Sequence, residues 1–597
     1  MEIRSQQEAL FIACEMEKSA IQLAAYDITG LLQPGQSETK VLHVDMQDVA
    51  SYDMLHKNAD GTQGTWILDA GDYYFTVANG SHAALNNVLA RQGKTVANTN
   101  GLMDADGDAK AVFAYHSSGI NGSVDDNTFA VSKNNAAVSN HLEYSDWNYY
   151  EPDKVTQLSR ADWEGTWPKE YKDMTAPASM LADLNGKYYE VKKDDDTSKI
   201  VFGANNGLKF YDLAFRDFDD PDWQKLIDQM TIDECLGLLC YGGNEFRDIP
   251  SIGFIRGSFT ENSGNGMQSE MCDARVDAPW AVSKKDNNGH FYLELYATAP
   301  TVASSFDPSL QFRMGEEVGL QALIVGLPIR WGPGLNTHRT AYNGRNGDYY
   351  SEGPILTGNT GMEFAIGAFK YGLLASPKHF AFNDQETNRG GVAPFMTEQR
   401  AREVELRAFQ IPMEANKYDA KAPEYWNGEE NHDFGMRGMM TSFSKIGGVE
   451  CTASEGLITD IAKNEWGFKG YAVTDIGDDV DLFAAVANSG VTGYDLRGRF
   501  SESGHDTQTN DGQPISAEMF AGDANILTKI KEAAHNTIWA FCQTNLMNAY
   551  DSSTEFQSVT TWWRVAYNVA ILTTGGLFLA FATLYTVSVI KSKKEGK

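Results

Sequence analysis

Between about Ser19 and Gly93, short alternations of apolar and polar residues are separated by turn chemistry. "KVLHVDM" sets Leu42, Val44 and Met46 against His43 and Asp45, and "DYYFTVA" sets Tyr73, Phe75 and Val77 against Tyr74 and Thr76. "QPGQS" and "DAGD" punctuate them, and the period of two predicts strands. The segment reads as a small β-sandwich of about five strands, fewer than the usual seven or so. Residues 94–218 are rich in Asn, Asp, Ser and Gly, as in "NGLMDADGDAKA" and "KKDDDTSK", and read as a polar connector. "DADGD" lacks the glutamate that closes a calcium loop, which favours a polar turn.

From Asp219 the pattern changes. Short apolar runs ("GLLAS", "RGMMTSF", "GYAVTD") alternate with longer amphipathic ones ("TEQRAREVELRAFQIPMEAN", "EGLITDIAKNEW"). Strand and helix in repeated turn predict a parallel sheet wrapped by helices, and 219–550 is long enough for a (β/α)8 barrel. Ile526, Ile530, Ala534, Ile538 and Phe541 mark one face of a closing helix. Val565 to Ile590 carries no charge, where about 20 apolar residues suffice to cross a membrane. Trp562, Trp563 and Tyr567 precede the run, and Lys591, Lys593, Lys594 and Lys597 follow it. The expectation is a transmembrane helix at 562–590, a cytoplasmic basic tail at 591–597 and an extracellular acidic body.

Composition narrows the function. The 597 residues exceed a single core and imply two or more domains. Forty-nine Lys plus Arg against 81 Asp plus Glu give a net charge of −32, which disfavours nucleic acid and anionic lipid surfaces as partners. The six cysteines, Cys14, Cys235, Cys240, Cys272, Cys451 and Cys542, have neither zinc spacing nor a disulfide pattern and read as small buried hydrophobes. No metal or cofactor is called for.

In a barrel the chemistry lies at the carboxyl ends of the strands. Four apolar runs end there in polar clusters: "RWGPGLNTHRTAYNGRNGDYYSEG", "PKHFAFNDQETNR", "SKIGG" and "TDIGDD". A lone carboxylate after a strand is usually a cap or turn. Several clusters together point to one polar ligand with many hydroxyls. Asp475, ending "GYAVT", is placed to attack or stabilise an oxocarbenium-like centre, and Lys378 and His379 supply donors from a neighbouring strand end.

"KHFAFNDQETNR", "GRNGDYYSEGP", "NEWGFKGYAVTD" and the opening helix "DPDWQKLIDQMTIDECLGLL" resemble the motifs of glycoside hydrolase family 3, the β-glucosidase group. The resemblance spans roughly Asp219 to Asn548, and residues 1–93 look like an incomplete form of the family's fibronectin type III-like domain. It implies the permuted domain order with the front cut away. It also implies a retaining mechanism with Asp475 as nucleophile, and Arg345, Lys378 and His379 holding a β-glucoside or oligosaccharide. Asn262 stands roughly where the family has the Asp of Asp-Gly-Pro, and Phe443 where some members have tyrosine. The family's acid/base glutamate belongs to an α/β sandwich domain, so here it is expected from a missing segment or a separate chain. "KHFAFND" departs from the "KHFPGHG" of the β-N-acetylglucosaminidase branch. A second reading stays open, a catalytically incomplete family 3 remnant that binds sugar or acts as a surface interaction module.

Overall fold

The computed structural model describes residues 2–4, 18–118, 128–159, 162–186, 193–240, 248–254, 260–261, 296–383, 385–415, 436–475, 517–550, 553–554 and 560–596. The chain divides into two units, Met1–Tyr550 and Asp551–Lys597.

The first unit begins with two antiparallel sheets. The strands are β1 (Glu2–Arg4), β2 (Ser51–Lys57), β3 (Gln63–Ile67), β4 (Gly71–Thr76), β5 (Val112–Ser117) and β6 (Thr128–Phe129). They pair in the orders β1-β4-β5 and β2-β3-β6. The period of two in "DYYFTVA" becomes β4, with Tyr73 buried. "KVLHVDM" forms no strand: Val41 is exposed and Met46 opens a short helix, Met46–Val49, capped by Asp45. Val44 and Met46 are half-buried against Val49, Leu68 and Tyr73 without strand pairing among the described residues, so pattern alone did not suffice. A helix, Ser81–Arg91, lies in the segment read as all-β.

The stretch 94–218, read as a connector, is built into the fold. β5 pairs with β4 along its full length, Gly71 opposite Ser117 to Thr76 opposite Val112, and β6 pairs with β3. Leu142, Phe210 and Leu213 are completely buried in the main core, where Phe210 meets Phe254 edge-on at 5.2 Å. Sparse apolar residues in a polar background hid these anchors. Each is worth about 1.5–3 kcal/mol when fully buried.

The parallel part comprises β7 (Thr260–Glu261), β8 (Ile329–Gly334), β9 (Leu374–Lys378) and β10 (Gly438–Met440). A small antiparallel pair follows, β11 (Lys445–Ile446) with β12 (Val449–Glu450), and then β13 (Tyr471–Val473). β7, β8 and β9 are parallel neighbours, as are β10 and β13. A parallel bridge from Phe380 to Thr441 joins the two groups: Phe380 N donates to Met440 O at 2.7 Å and Ser442 N to Phe380 O at 2.9 Å. Five parallel strands thus lie side by side in chain order, as a barrel wall requires. β8, β9, β10 and β13 are buried along their full length, which is why they read as apolar runs and not as alternations.

Helices fill the crossovers. Pro308–Val325 begins on Asp307, whose side chain accepts from Ser309 N at 3.0 Å and Leu310 N at 3.1 Å. Pro308 takes the first turn, where no donor is needed, and Gly326 closes the helix at φ 77°. This helix packs on Pro354–Phe369 through glycines. A Cβ at Gly315 would sit 2.1 Å from Phe364 O, and one at Gly367 2.2 Å from Phe312 O. Gly315→Ala is therefore expected to cost about 1–3 kcal/mol, because helix backbones must move apart. A lowered midpoint in chemical denaturation of the purified protein checks this.

Helical turns Glu398–Arg400 and Arg407–Met413 flank a π-helical segment, Ala401–Glu405, and a second π-helical segment, Gly456–Glu465, precedes β13. Ala524–Phe541 is the closing helix, with Ile526, Ile530, Ala534, Ile538 and Phe541 all buried. Cys235, Cys451 and Cys542 are buried thiols. Cys14 and Cys272 lie outside the described residues.

Among its described residues the second unit contains one helix, Trp562–Lys594, of 33 residues, with an 18-residue stretch of mean hydropathy 1.7. At about 1.5 Å per residue it exceeds the roughly 30 Å hydrocarbon layer, so it is long and apolar enough to cross a membrane. Its threonine hydroxyls donate back along the helix, Thr573 to Val569 O at 2.7 Å and Thr583 to Leu579 O at 2.8 Å, leaving little polar demand on the surroundings.

Candidate active site

The carboxyl ends of β8, β9, β10 and β13 carry the polar clusters. Lys378 is the last residue of β9, His379 follows it, and Asp475 lies two residues beyond β13. All three are buried: Lys378 at 2%, His379 at 1% and Asp475 at 5% exposure. A buried strand terminus fixes the direction of the side chain that leaves it.

His379 is held from every side. Its backbone N donates to Asn336 Oδ1 at 2.8 Å, and Asn336 Nδ2 donates to His379 O at 3.0 Å. Its Nε2 stands 3.2 Å from Arg345 Nη1 and 3.6 Å from Asp475 Oδ2, and its Nδ1 stands 3.1 Å from Tyr349 Oη. Burial drives the imidazole pKa well below its usual value, and the positive charges of Lys378, Arg345 and Arg389 act the same way. The ring is neutral at physiological pH. The approach to Asp475 is therefore a contact and not an ion pair.

Arg345 comes from the loop between β8 and helix Pro354–Phe369. Its Nε donates to Asp348 Oδ2 at 2.7 Å and lies 3.9 Å from Glu386 Oε1. Burial works against its charge, but Tyr349, Asp348 and Glu386 outweigh that and raise its pKa. Glu386 in turn accepts from Asn383 Nδ2 at 3.1 Å and Arg389 Nη1 at 3.1 Å. The Arg389 guanidinium lies over the Phe443 ring at 4.2 Å. Phe443 thus borders the cluster by stacking on an arginine.

Of the residues singled out in the sequence, the structure gathers Arg345, His379 and Asp475 into direct contact, with Lys378 beside them in the chain and Phe443 at the edge. Asn262 lies outside the described residues. Tyr349, Asn383, Glu386 and Arg389 were quoted within the motifs without an assigned task. Their crowding into "DYYSEG" and "NDQETNR" was the available signal. Among the described residues no group of three or more His, Cys, Asp or Glu side chains is disposed to hold a metal ion.

A neutral imidazole, a lysine, an arginine and a buried carboxylate thus lie together on the carboxyl side of neighbouring strands. Comparison with known proteins gives a family for part of the chain. Residues 260–424 match the Glycosyl hydrolase family 3 N terminal domain. The chain carries that family 3 domain and is homologous to β-glucosidases. It is 25% identical over 531 residues to a β-glucosidase of Ruminococcus albus, covering 86% of this chain and 47% of the relative. It is 26% identical to β-glucosidase A of Butyrivibrio fibrisolvens, covering 77% and 48%. A solved β-glucosidase from Paenibacillus barengoltzii shares the fold, with a TM-score of 0.57 at 19% identity over 94% of this chain and 52% of that one. The chain spans about half the length of these relatives.

Proposed function

We propose that the chain acts as a retaining glycosidase on β-glucosides. The observation that carries this reading is the placement of a buried carboxylate, Asp475, 3.6 Å from an imidazole that an arginine and a tyrosine hold in place. Asp475 attacks the anomeric carbon as the glycosidic bond breaks and forms a glycosyl-aspartate ester. Water then attacks the same carbon from the opposite face and releases the sugar with its configuration retained. Lys378, His379 and Arg345 hold hydroxyls of the sugar in the first subsite, and Phe443 lines its outer part. The leaving oxygen receives its proton from an acid on a separate chain or segment carrying the α/β sandwich. The β-glucosidases among the relatives support the substrate class.

The test is intact-mass measurement after incubation with an activated 2-deoxy-2-fluoro-β-glucoside, whose leaving group needs little help from an acid. One covalent 2-fluoroglucosyl unit per chain is expected. A folded chain that gains no mass overturns the reading and leaves sugar binding as the activity to pursue.

The helix Trp562–Lys594 is proposed to anchor the protein in the cell membrane, with the lysine-bearing end in the cytoplasm and the body outside. The full chain is expected to stay with membranes on alkaline carbonate extraction, and a chain ending at Tyr550 to leave them. Protease added to intact cells should then remove the body. Protection of the body in intact cells, but not in lysed ones, overturns the orientation.

A further inference from the structure

Tyr349 is wholly buried, and its hydroxyl lies between His379 and Asn383. The protons along this chain of contacts are determined by its two ends. At one end, the Arg345 guanidinium has only donors, so its 3.2 Å contact makes His379 Nε2 the acceptor. The imidazole is neutral, and its one ring proton is therefore on Nδ1, which donates to Tyr349 Oη across 3.1 Å. At the other end, the Glu386 carboxylate accepts from Arg389, which orients the Asn383 amide with its nitrogen toward Glu386 at 3.1 Å. That same nitrogen donates to Tyr349 Oη at 2.9 Å. Tyr349 Oη thus accepts twice. Gly334 leaves room for the ring, since a Cβ there would come within 2.7 Å of Tyr349 Cδ1.

We infer that Tyr349 is a positioning residue: with Arg345 it holds His379 as the Nδ1–H tautomer, so that Nε2 presents a lone pair beside Asp475. For its catalytic meaning this rests on the glycosidase reading above. The Nε2 lone pair, which accepts from Arg345, gives no hydrogen bond to Asp475, 3.6 Å away. The carboxylate keeps its electron density for the anomeric carbon. The opposite tautomer would donate Nε2–H to Asp475 and weaken the nucleophile.

Tyr349→Phe removes one oxygen and keeps the ring. It leaves Nδ1–H buried without an acceptor, which is costly enough to move the proton to Nε2, where Asp475 accepts it and the Arg345 contact is given up. The experiment uses the full chain in detergent, labelled with 15N-histidine, with the His379 signals identified by their loss in His379→Gln. The native chain is expected to show protonated Nδ1 and unprotonated Nε2. Tyr349→Phe is expected to show a large population of the Nε2–H form and adduct formation from the fluoro-glucoside slowed about tenfold or more. A native His379 protonated on Nε2 overturns the inference without any variant, and so does an unchanged tautomer in folded Tyr349→Phe. If the tautomer shifts but neither protein forms an adduct, the role of Tyr349 stands and the glycosidase reading falls.

Discussion

Asp475→Asn is expected to form no detectable glycosyl adduct and to lose at least about 10³-fold in turnover of activated β-glucosides. The substitution keeps the shape of the side chain at the end of β13, where the residue is 5% exposed. It replaces an anionic oxygen by an amide that cannot form a stable ester with the anomeric carbon. Folding should survive, since the amide makes similar hydrogen bonds. Fluorine at C2 slows both steps by destabilising the oxocarbenium-like transition states, while a good leaving group restores the first, so the intermediate accumulates. Asp475→Gly adds a test of direction: azide entering the vacated space attacks the face that the carboxylate used and yields an α-glycosyl azide. A native-like adduct on Asp475→Asn would remove Asp475 from the mechanism.

The second large effect concerns stability. Arg402→Met is expected to destabilise the protein by about 3–5 kcal/mol, because it strands two buried carboxylates. Arg402 Nε donates to Glu398 Oε1 at 2.8 Å, Nη1 to Glu465 Oε2 at 2.6 Å, and Nη2 to Glu465 Oε1 at 3.1 Å and Ser139 O at 2.7 Å. Its guanidinium covers the Tyr52 ring at 4.6 Å. Glu398 also accepts the backbone N–H groups of His141 and Leu142, at 3.0 and 2.8 Å. The cluster therefore fastens the segment around residue 140 onto the two π-helical crossovers. A urea-unfolding midpoint well below that of the native chain is the measurement, and an unchanged midpoint would mean that the cluster is energetically neutral.

The same cluster has a pH signature. Burial raises the Glu465 pKa, but Arg402 and His141 more than reverse this and lower it. Its contribution is present above the ordinary carboxylate range and is lost as pH falls through the depressed value. Burial lowers the His141 pKa, but the hydrogen bond and charge of Glu465, with Asp460, raise it overall from 6.5. That contribution is complete below about 6.5 and is lost as pH rises through the raised value. The stability difference between the native chain and His141→Gln should therefore be greatest in mildly acidic buffer and shrink toward alkaline pH.

The parallel part of the fold was legible because its strands are buried on both faces and its helices on one, and those two patterns survive in composition. The site was legible for a related reason. Residues 378–389 and 345–353 each bring polar side chains to a single strand end, so contiguity in sequence approximates contiguity in space. The N-terminal part was less so. "KVLHVDM" alternates but forms no strand, while Val112–Ser117, hidden in a polar stretch, pairs fully with Gly71–Thr76.

The amino-acid sequence by itself determined the alternation of buried strands and helices, the long apolar helix, the acidic balance, and the crowding of polar residues around Lys378, His379, Arg345 and Asp475. Only the tertiary structure decided that Tyr349 and Asn383 close a hydrogen-bond chain on His379, that Arg402 ties three distant segments together, and that Leu142, Phe210 and Leu213 of the polar stretch belong to the core. Periodicity and local crowding are properties of neighbours along the chain. A tautomer, a buried ion cluster and a strand pairing depend on groups far apart in sequence, whose protons and charges are settled only when folding has excluded water from between them.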